Sequence, residues 1–203
     1  MPPKVTPLPR SFYERDPVIV AQELLGKLLV RRDGKRVRSG IIVETEAYIK
    51  DDPAAHAYRG ITERNRVLFG PAGHAYVYSI YGMHYCLNFS CMREGEAGCT
   101  LIRALEPVAG IEAMQRARGV TADRQLASGP GKLCDALDIT RAQHNGADVC
   151  DPRSELLVTH APPATPFEIG ITPRIGINPA NPALDWPLRF VVRGSRYLSR
   201  PLR

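Results

Sequence analysis

An extended run from Ile41 to Tyr48 limits the fold more than any other part of the chain. Side chains alternate across a strand, so Glu44, Glu46 and Tyr48 fall on one face. The other face, which should pack on the core, is formed by Ile41, Val43, Thr45 and Ala47. Because acids are depleted in strands, two interpretations follow. Either the acidic face lies in solvent, or it carries a carboxylate to the floor of a cleft as a general base or electrostatic stabiliser.

Turn-forming residues are frequent in the chain, which has 17 glycines and 18 prolines among 203 residues. Such a density favours many short elements and argues against a helical bundle. Neither an internal repeat nor a linker between two cores is found, so we expect a single α+β domain over residues 16–203. The Pro-rich residues 1–15 should form an N-terminal arm on the surface.

The expected helices follow proline or a capping residue. They cover residues 17–26, 107–118 and a short stretch after 128–130. The expected strands cover residues 27–32, 41–48, 75–80, 86–91, 99–105, 156–159 and 188–192. Residues 93–96 should form a hairpin tip.

A net charge of +6 permits a polyanionic partner without establishing one. No apolar run approaches the roughly 20 residues of a membrane span, and the start lacks a secretory signal pattern. The five cysteines contain no Cys-x-x-Cys pair and the five histidines no His-Glu-x-x-His spacing. We therefore expect neither a disulfide framework nor a metal site, and a reducing interior as the location.

Tyrosines and arginines occur beside the acidic strand in the sequence. Tyr76 and Tyr78 share a strand face, and Tyr81 precedes a turn at Gly82. These rings are either core and hairpin tip or stacking surfaces for bases, worth about 1–3 kcal/mol per base. Arginines concentrate in residues 31–38, 59–66 and 189–203. Each segment alone is typical of a solvated face, but three of them together favour phosphate contacts.

Ordered motifs over most of residues 15–200 resemble the alkyladenine, or 3-methyladenine, DNA glycosylase family. The matching blocks are residues 43–48, 52–56, 64–66, 76–78, 80–83, Asn88, 101–107, 128–134 and 187–195. The resemblance implies an open antiparallel β-barrel or sheet with short flanking helices. It implies a monofunctional enzyme that flips out and hydrolyses alkylated or deaminated purines (the 3-methyladenine, hypoxanthine and ethenoadenine class), leaving an abasic site in base excision repair.

The same resemblance implies no cofactor, no metal, no lyase activity and no membrane contact. Lys132 is therefore not interpreted as a lyase nucleophile. The implied partner is double-stranded DNA containing damaged purines, bound by a monomer. The expected location is the cytoplasm of a bacterium, at the nucleoid, or the nucleus of a eukaryote.

The resemblance also assigns catalytic roles. Glu46 matches the general base that deprotonates the attacking water, and its charge would stabilise an oxocarbenium-like transition state. Arg103 and the backbone carbonyl of Ile175 match the remaining contacts to that water. Arg103 would also keep Glu46 ionised.

Base recognition is assigned to a second group. Tyr48, His56 and Tyr78 match the pocket that sandwiches the flipped base, and flat rings suit cationic alkylpurines. Asn88 matches the residue that disfavours guanine. The backbone amide of His56 matches a donor to the base edge. As an isolated observation, a lone histidine such as His56 is more often a surface or satisfied histidine than a functional one.

DNA binding is assigned to a third group. Tyr81 matches the wedge that fills the vacated base stack. The remaining expected DNA contacts are Met83, Arg59, Arg64 and Arg66.

Two other functions fit the same residues. A non-catalytic protein could bind damaged DNA through these rings and arginines. A sugar hydrolase could use Glu44 and Glu46 as a carboxylate pair, since residues i and i+2 lie about 6.5–7 Å apart. The segments 48–56 and 173–187 depart from the family pattern and border the expected pocket.

Overall fold

The computed structural model describes residues 6–80, 82–161 and 166–202. Its strands are β1 Leu28–Asp33, β2 Arg36–Tyr48, β3 Ala75–Ile80, β4 His84–Cys91, β5 Gly98–Ala109, β6 Leu156–Thr159, β7 Ile169–Thr172 and β8 Arg189–Val192. Its helices are α1 Arg10–Tyr13, α2 Pro17–Leu24, α3 Ile111–Arg118, α4 Asp123–Leu126, α5 Pro130–Leu137 and α6 Arg141–His144, with a 3₁₀ turn at Arg66–Phe69. An antiparallel sheet with short helices confirms the expected α+β class.

The sheet is built around β2. Its strands follow the order β3-β4-β5-β2-β1-β6, and β8 pairs with β2 and β7. Along one edge β2 pairs with β5, and along the other it pairs first with β1 and then with β8. This change of neighbour accompanies the curl of the sheet into an open half-barrel.

Besides a register shift between Ser39 and Gly40, two adjacent irregularities interrupt the pairing of β2 with β5 near the acidic residues. The register skips Val43 in β2 and then Arg103 in β5, so the two shifts compensate each other. A β-bulge turns side chains away from simple alternation, and bulges are common beside active sites. Here the second shift lies where Arg103 contacts the acidic face of β2.

The bulge changes which residues of β2 face the main core. Ile42 and Ala47 pack there, whereas Ile41 and Val43 pack in a second cluster with β8 and the C-terminal segment. The expected alternation is therefore wrong for Ile41 and Val43. It holds for Thr45, whose hydroxyl donates to the Ala21 carbonyl under α2.

Helix α2 begins where the sequence predicts. Asp16 caps it, with its carboxylate accepting the Val18 amide over 2.7 Å, and Pro17 occupies the first turn. The helix predicted from Pro107 starts later, at Ile111, because residues 107–109 extend β5. At Gly110 φ is +76°, and an added Cβ would lie 2.6 Å from a backbone oxygen of Val37. This left-handed residue ends the strand and begins α3.

The N-terminal segment differs from the expected surface arm. Leu8 and Tyr13 are buried in the main core, and the Leu8 amide donates to Val158 of β6 over 2.8 Å. Apolar side chains from this segment, one before α1 and one at its last residue, thus complete the core. In the described part of the chain, no helix combines the length and the apolar character needed to cross a membrane.

Candidate active site

Glu46 is a fully buried carboxylate with three kinds of donor around it. Its Oε1 accepts the Ile175 amide over 2.7 Å and lies 3.2 Å from Nη1 of Arg103. Its Oε2 accepts the Tyr48 hydroxyl over 3.1 Å. Burial raises the pKa of Glu46 and outweighs the lowering by Arg103 and by these hydrogen bonds. The carboxylate is therefore held in place and made more basic than an ordinary glutamate.

Glu44, two residues earlier, has a different environment. Both Nε of Arg103 and Nε of Arg189 donate to its Oε1, over 3.0 and 2.8 Å. The amide and hydroxyl of Ser199 donate over 2.6 and 2.7 Å. Burial raises the pKa of Glu44, but the two arginines and Ser199 outweigh it, so the net shift is downward. Glu44 is a fixed anion at neutral pH.

The two carboxylates have their pKa values shifted in opposite directions, which is how environments assign different roles to like groups. Neither lies in solvent, so the solvent-facing interpretation of this strand is wrong. Both oxygens of Glu44 accept hydrogen bonds from protein donors, which argues against a paired-carboxylate sugar hydrolase. Arg103 joins the two acids and is itself buried.

The Ile175 amide is positioned by a buried ion pair. Its neighbour Arg174 forms a bidentate ion pair with Asp52, in which Nη2 lies 3.0 Å from Oδ1 and Nη1 contacts Oδ2. Arg174 Nη1 also donates to the Ala47 carbonyl over 3.1 Å. Both charged side chains have no exposed area. The resemblance implied a role for the Ile175 carbonyl, whereas the contact to Glu46 is made by its amide.

A cavity of about 250 Å³ opens beside this cluster. It is lined by Tyr48, Ala54, His56, Arg64, Tyr76, Tyr78, Ile80, Asn88, Cys99, Gly176 and Ile177. Four predicted base-binding residues, three of them on different strands and one on a loop, thus meet in one place. Tyr48 connects the cavity to Glu46, because its ring lines the former and its hydroxyl contacts the latter.

Aromatic rings form one wall of this cavity. The His56 and Tyr78 ring centroids lie 4.5 Å apart at 68°, and His56 Nδ1 lies 2.9 Å from the Tyr76 hydroxyl. Partial burial, with help from the nearby Arg64 charge, lowers the pKa of His56. The imidazole is therefore neutral at physiological pH. The His56 carbonyl accepts from the buried Asn65 over 2.9 Å, which fixes the loop.

Asn88 is buried at the back of the cavity. Its Nδ2 donates to the Tyr76 carbonyl over 3.1 Å, and the Cys99 thiol lies 3.9 Å from its Oδ1. These contacts fix the orientation of the amide, as a discriminating group requires. The sequence did not single out Cys99 as a pocket residue.

The predicted DNA contacts are distributed outside and at the rim of the cavity. Arg59, Arg66 and Met83 are exposed, and Met83 keeps 76% of its surface accessible. Arg64 instead lines the cavity. Tyr81, the expected wedge, lies outside the described residues.

Part of the arginine excess has a structural role. Arg31 is buried and pairs with Glu155 over 3.1 Å, and Arg189 is buried against Glu44. Counting them among phosphate contacts is therefore wrong, because neither guanidinium reaches the surface. Over the described ranges, no three His, Cys, Asp or Glu side chains cluster as a metal site would require.

Sequence reasoning missed the partners of the site more than the site itself. Asp52, Arg174, Arg189 and Ser199 are far apart in sequence, and although Asp52 and Arg189 lie in blocks that resemble the family, none of the four was assigned a role in the site. An arginine beside the predicted Ile175 was the one available signal for Arg174. Nothing in the sequence distinguishes Ser199 from other serines of the C-terminal segment.

Comparisons with known proteins match one family over nearly the whole chain. The profile of the family described as methylpurine-DNA glycosylase matches residues 11–196. A relative from Koribacter versatilis is 50% identical over 199 residues, covering 97% of this chain and 94% of the relative. One from Methanoculleus marisnigri is 53% identical over 194 residues, covering 95% and 98%. Both carry provisional names as 3-methyladenine DNA glycosylases.

Proposed function

The chain belongs to the methylpurine-DNA glycosylase family, and we propose that its buried Glu46 activates the water that cleaves the N-glycosidic bond of a damaged purine. It is accordingly a hydrolase of DNA repair that acts on DNA. The observation that carries the proposal is a single basic carboxylate, fixed by Arg103, Tyr48 and the Ile175 amide, next to an aromatic cavity.

Hydrolysis at this site needs a positioned base and a stabilised cation. Glu46 takes one proton from water as the water oxygen bonds to the anomeric carbon and the glycosidic bond breaks. Arg103 and the Ile175 carbonyl hold the water, and the negative charge of Glu46 stabilises the developing oxocarbenium ion. The base leaves with the bonding electron pair, and the product is an abasic site with no lyase step.

Recognition follows from the cavity and the surface around it. A base in a duplex is inaccessible, so the lesion is flipped out at a cost of a few kcal/mol. Tyr48 stacks on one side of the flipped base and His56 with Tyr78 on the other, while Asn88 disfavours guanine. Tyr81 fills the vacated stack.

The duplex is held outside the cavity. Met83, Arg59 and Arg66 contact the DNA around the lesion, and the arginines bind phosphates without reading sequence. The protein acts as a monomer on chromosomal DNA inside the cell, and it needs neither a metal nor a cofactor.

Purified protein should release free base from duplexes carrying hypoxanthine, ethenoadenine or 3-methyladenine in the presence of a chelator. Heating in alkali should cut the strand afterwards, and omitting the alkali should leave it intact, because the enzyme has no lyase step. Release should be measured by chromatography of the free base. Binding of these duplexes with no abasic product from any lesion would instead favour a non-catalytic damaged-DNA-binding protein.

As pH falls, excision activity should be lost at a pH above the ordinary pKa of a glutamate. The raised pKa of Glu46 means that the carboxyl is protonated, and useless as a base, below that value. The pH profile of kcat/KM, which reports the free enzyme, measures it. Tyr48→Phe removes a hydrogen bond that lowers the pKa of Glu46, so the acidic limb of the pH profile should move to higher pH. If Tyr48→Phe left the acidic limb at the same pH, the assignment of this limb to Glu46 would be contradicted.

A further inference from the structure

Two of the three tyrosines that line the cavity, Tyr48 and Tyr78, already have a guanidinium close to the ring. Arg174 lies 4.6 Å from the ring centroid of Tyr48, on its buried side, and Arg64 lies 5.7 Å from that of Tyr78. Asp52 neutralises Arg174 within the protein. Arg64 is exposed at the rim and lines the cavity itself.

The remaining described residues that line the cavity add no negative charge to offset Arg64. Apart from Arg64 they are apolar, aromatic or amide side chains, a thiol, glycine and the neutral His56. Glu46 lies beneath the Tyr48 hydroxyl, and Arg103 is 3.2 Å from it. A base bound in this cavity therefore lies near the positive charge of Arg64 at the rim, whereas the charges of Glu46 and Arg103 behind the cavity compensate each other.

Damaged purines differ in charge before they are released. In DNA, 7-methylguanine and 3-methyladenine carry a positive charge on the ring system, whereas hypoxanthine and ethenoadenine are neutral. Cation–π attraction favours a cationic base on a free ring face, but a guanidinium within reach of the same ring opposes it electrostatically. Arginine also offers N–H donors to a carbonyl oxygen such as that of hypoxanthine and has no acceptor.

We propose that Arg64 sets the lesion preference of this cavity, favouring uncharged purines such as deaminated bases over cationic alkylpurines. The inference rests on the proposed function and adds a specificity-determining residue to it. It replaces the expectation that the rings select cationic bases, and it gives Arg64 a role different from that of Arg59 and Arg66.

The test compares two neutral and two cationic lesions, so that charge is separated from hydrogen-bonding pattern. Single-turnover rates on hypoxanthine, ethenoadenine, 7-methylguanine and 3-methyladenine are measured for the wild type and Arg64→Gln. Each variant rate is divided by the wild-type rate on the same lesion, which removes the different intrinsic lability of the bases. Two unit charges about 8 Å apart predict that Arg64→Gln raises the cationic-to-neutral ratio by between about twofold and about thirtyfold.

Two further variants distinguish charge from other effects. Arg64→Lys keeps the charge and should keep the ratio near that of the wild type. Arg66→Gln removes the same charge two residues away, where the side chain is 63% exposed and pairs with Glu63. It should lower all four rates by a common factor. If Arg64→Gln does the same, with the ratio changed less than twofold, Arg64 is a phosphate contact and the inference is overturned.

A binding measurement separates this inference from the proposed function. In the Glu46→Gln background, affinities for duplexes carrying hypoxanthine or 7-methylguanine are compared with and without Arg64→Gln. A shift of this affinity ratio toward 7-methylguanine supports the role of Arg64 even if no lesion is excised. An unchanged affinity ratio together with normal excision contradicts the role of Arg64 and leaves the proposed function intact.

Discussion

Glu46→Gln should reduce single-turnover excision by about 10²- to 10⁴-fold while damaged duplex remains bound. Glutamine keeps the size of the side chain and can accept the Ile175 amide, but it cannot take a proton from water. The fold should tolerate the change unusually well. Because burial raises the pKa of Glu46, ionising this carboxyl costs more free energy in the folded protein than in the unfolded chain. The stability that it contributes at low pH is therefore lost as pH rises through the raised pKa.

Glu44→Gln provides the matched comparison, with the same substitution two positions along the strand. The net pKa of Glu44 is lowered, so its ionised form stabilises the fold, and that contribution is lost as pH falls through the lowered value. Glu44→Gln should therefore lower the melting temperature at neutral pH, whereas Glu46→Gln should not. If the Glu46→Gln variant turned over within tenfold of the wild-type rate, Glu46 would not be the general base.

Asp52→Asn should be strongly destabilising, by about 3–5 kcal/mol, because it leaves the Arg174 guanidinium buried without its counter-charge. For a domain of this size the melting temperature should fall by about 6–20 °C. Excision should fall as well, since Arg174 adjoins the Ile175 amide that holds Glu46. Differential scanning calorimetry measures the first effect and single-turnover kinetics the second.

Asp151→Asn is the control for this change. Asp151 also contacts an arginine through both carboxylate oxygens, Arg153, with distances of 2.8 to 3.3 Å, but on the surface. Water replaces the lost partner there, so the melting temperature should be nearly unchanged. Adding Arg174→Met to Asp52→Asn should recover part of the lost stability. Equal effects of Asp52→Asn and Asp151→Asn would contradict the importance of the buried pair.

The sequence predicted the strands of this fold better than their irregularities. Strand β3 has the predicted bounds, and α5 lies where a helix was expected, although it begins at Pro130 rather than after it, because alternation and capping are local signals. The extension of β5 through Pro107 was missed, since Pro107 is also a favourable helix start. Its pairing opposite Gly40 depends on a partner strand, which no local signal describes.

For the candidate site, the sequence predicted side chains that lie close together in the structure, but it did not predict the contacts that hold them. Glu46, Tyr48, Tyr78 and Asn88 lie on strands, and their positions follow from pairing. The charge state of Glu46 depends on donors from residues 103 and 175, which are distant in the chain. Such long-range desolvation and pairing cannot be inferred from spacing.

The two segments that depart from the family pattern are joined to each other in space. Asp52 contacts Arg174, and the Asn181 side chain donates to the Pro53 carbonyl over 3.1 Å. The first segment therefore has its direct contacts in the second. Their differences from the family pattern should be interpreted together when substrate preference is compared.

The contacts of Glu44 also have a consequence for biosynthesis. Ribosomes make the acidic strand early, whereas Arg103, Arg189 and Ser199 follow in that order. On a growing chain, Glu44 and Glu46 are two neighbouring carboxylates without their cations, so this constellation is incomplete until residue 199 has emerged. Nascent fragments should therefore lack the ability to remove bases from DNA, and the enzyme becomes active only after its last partner has docked.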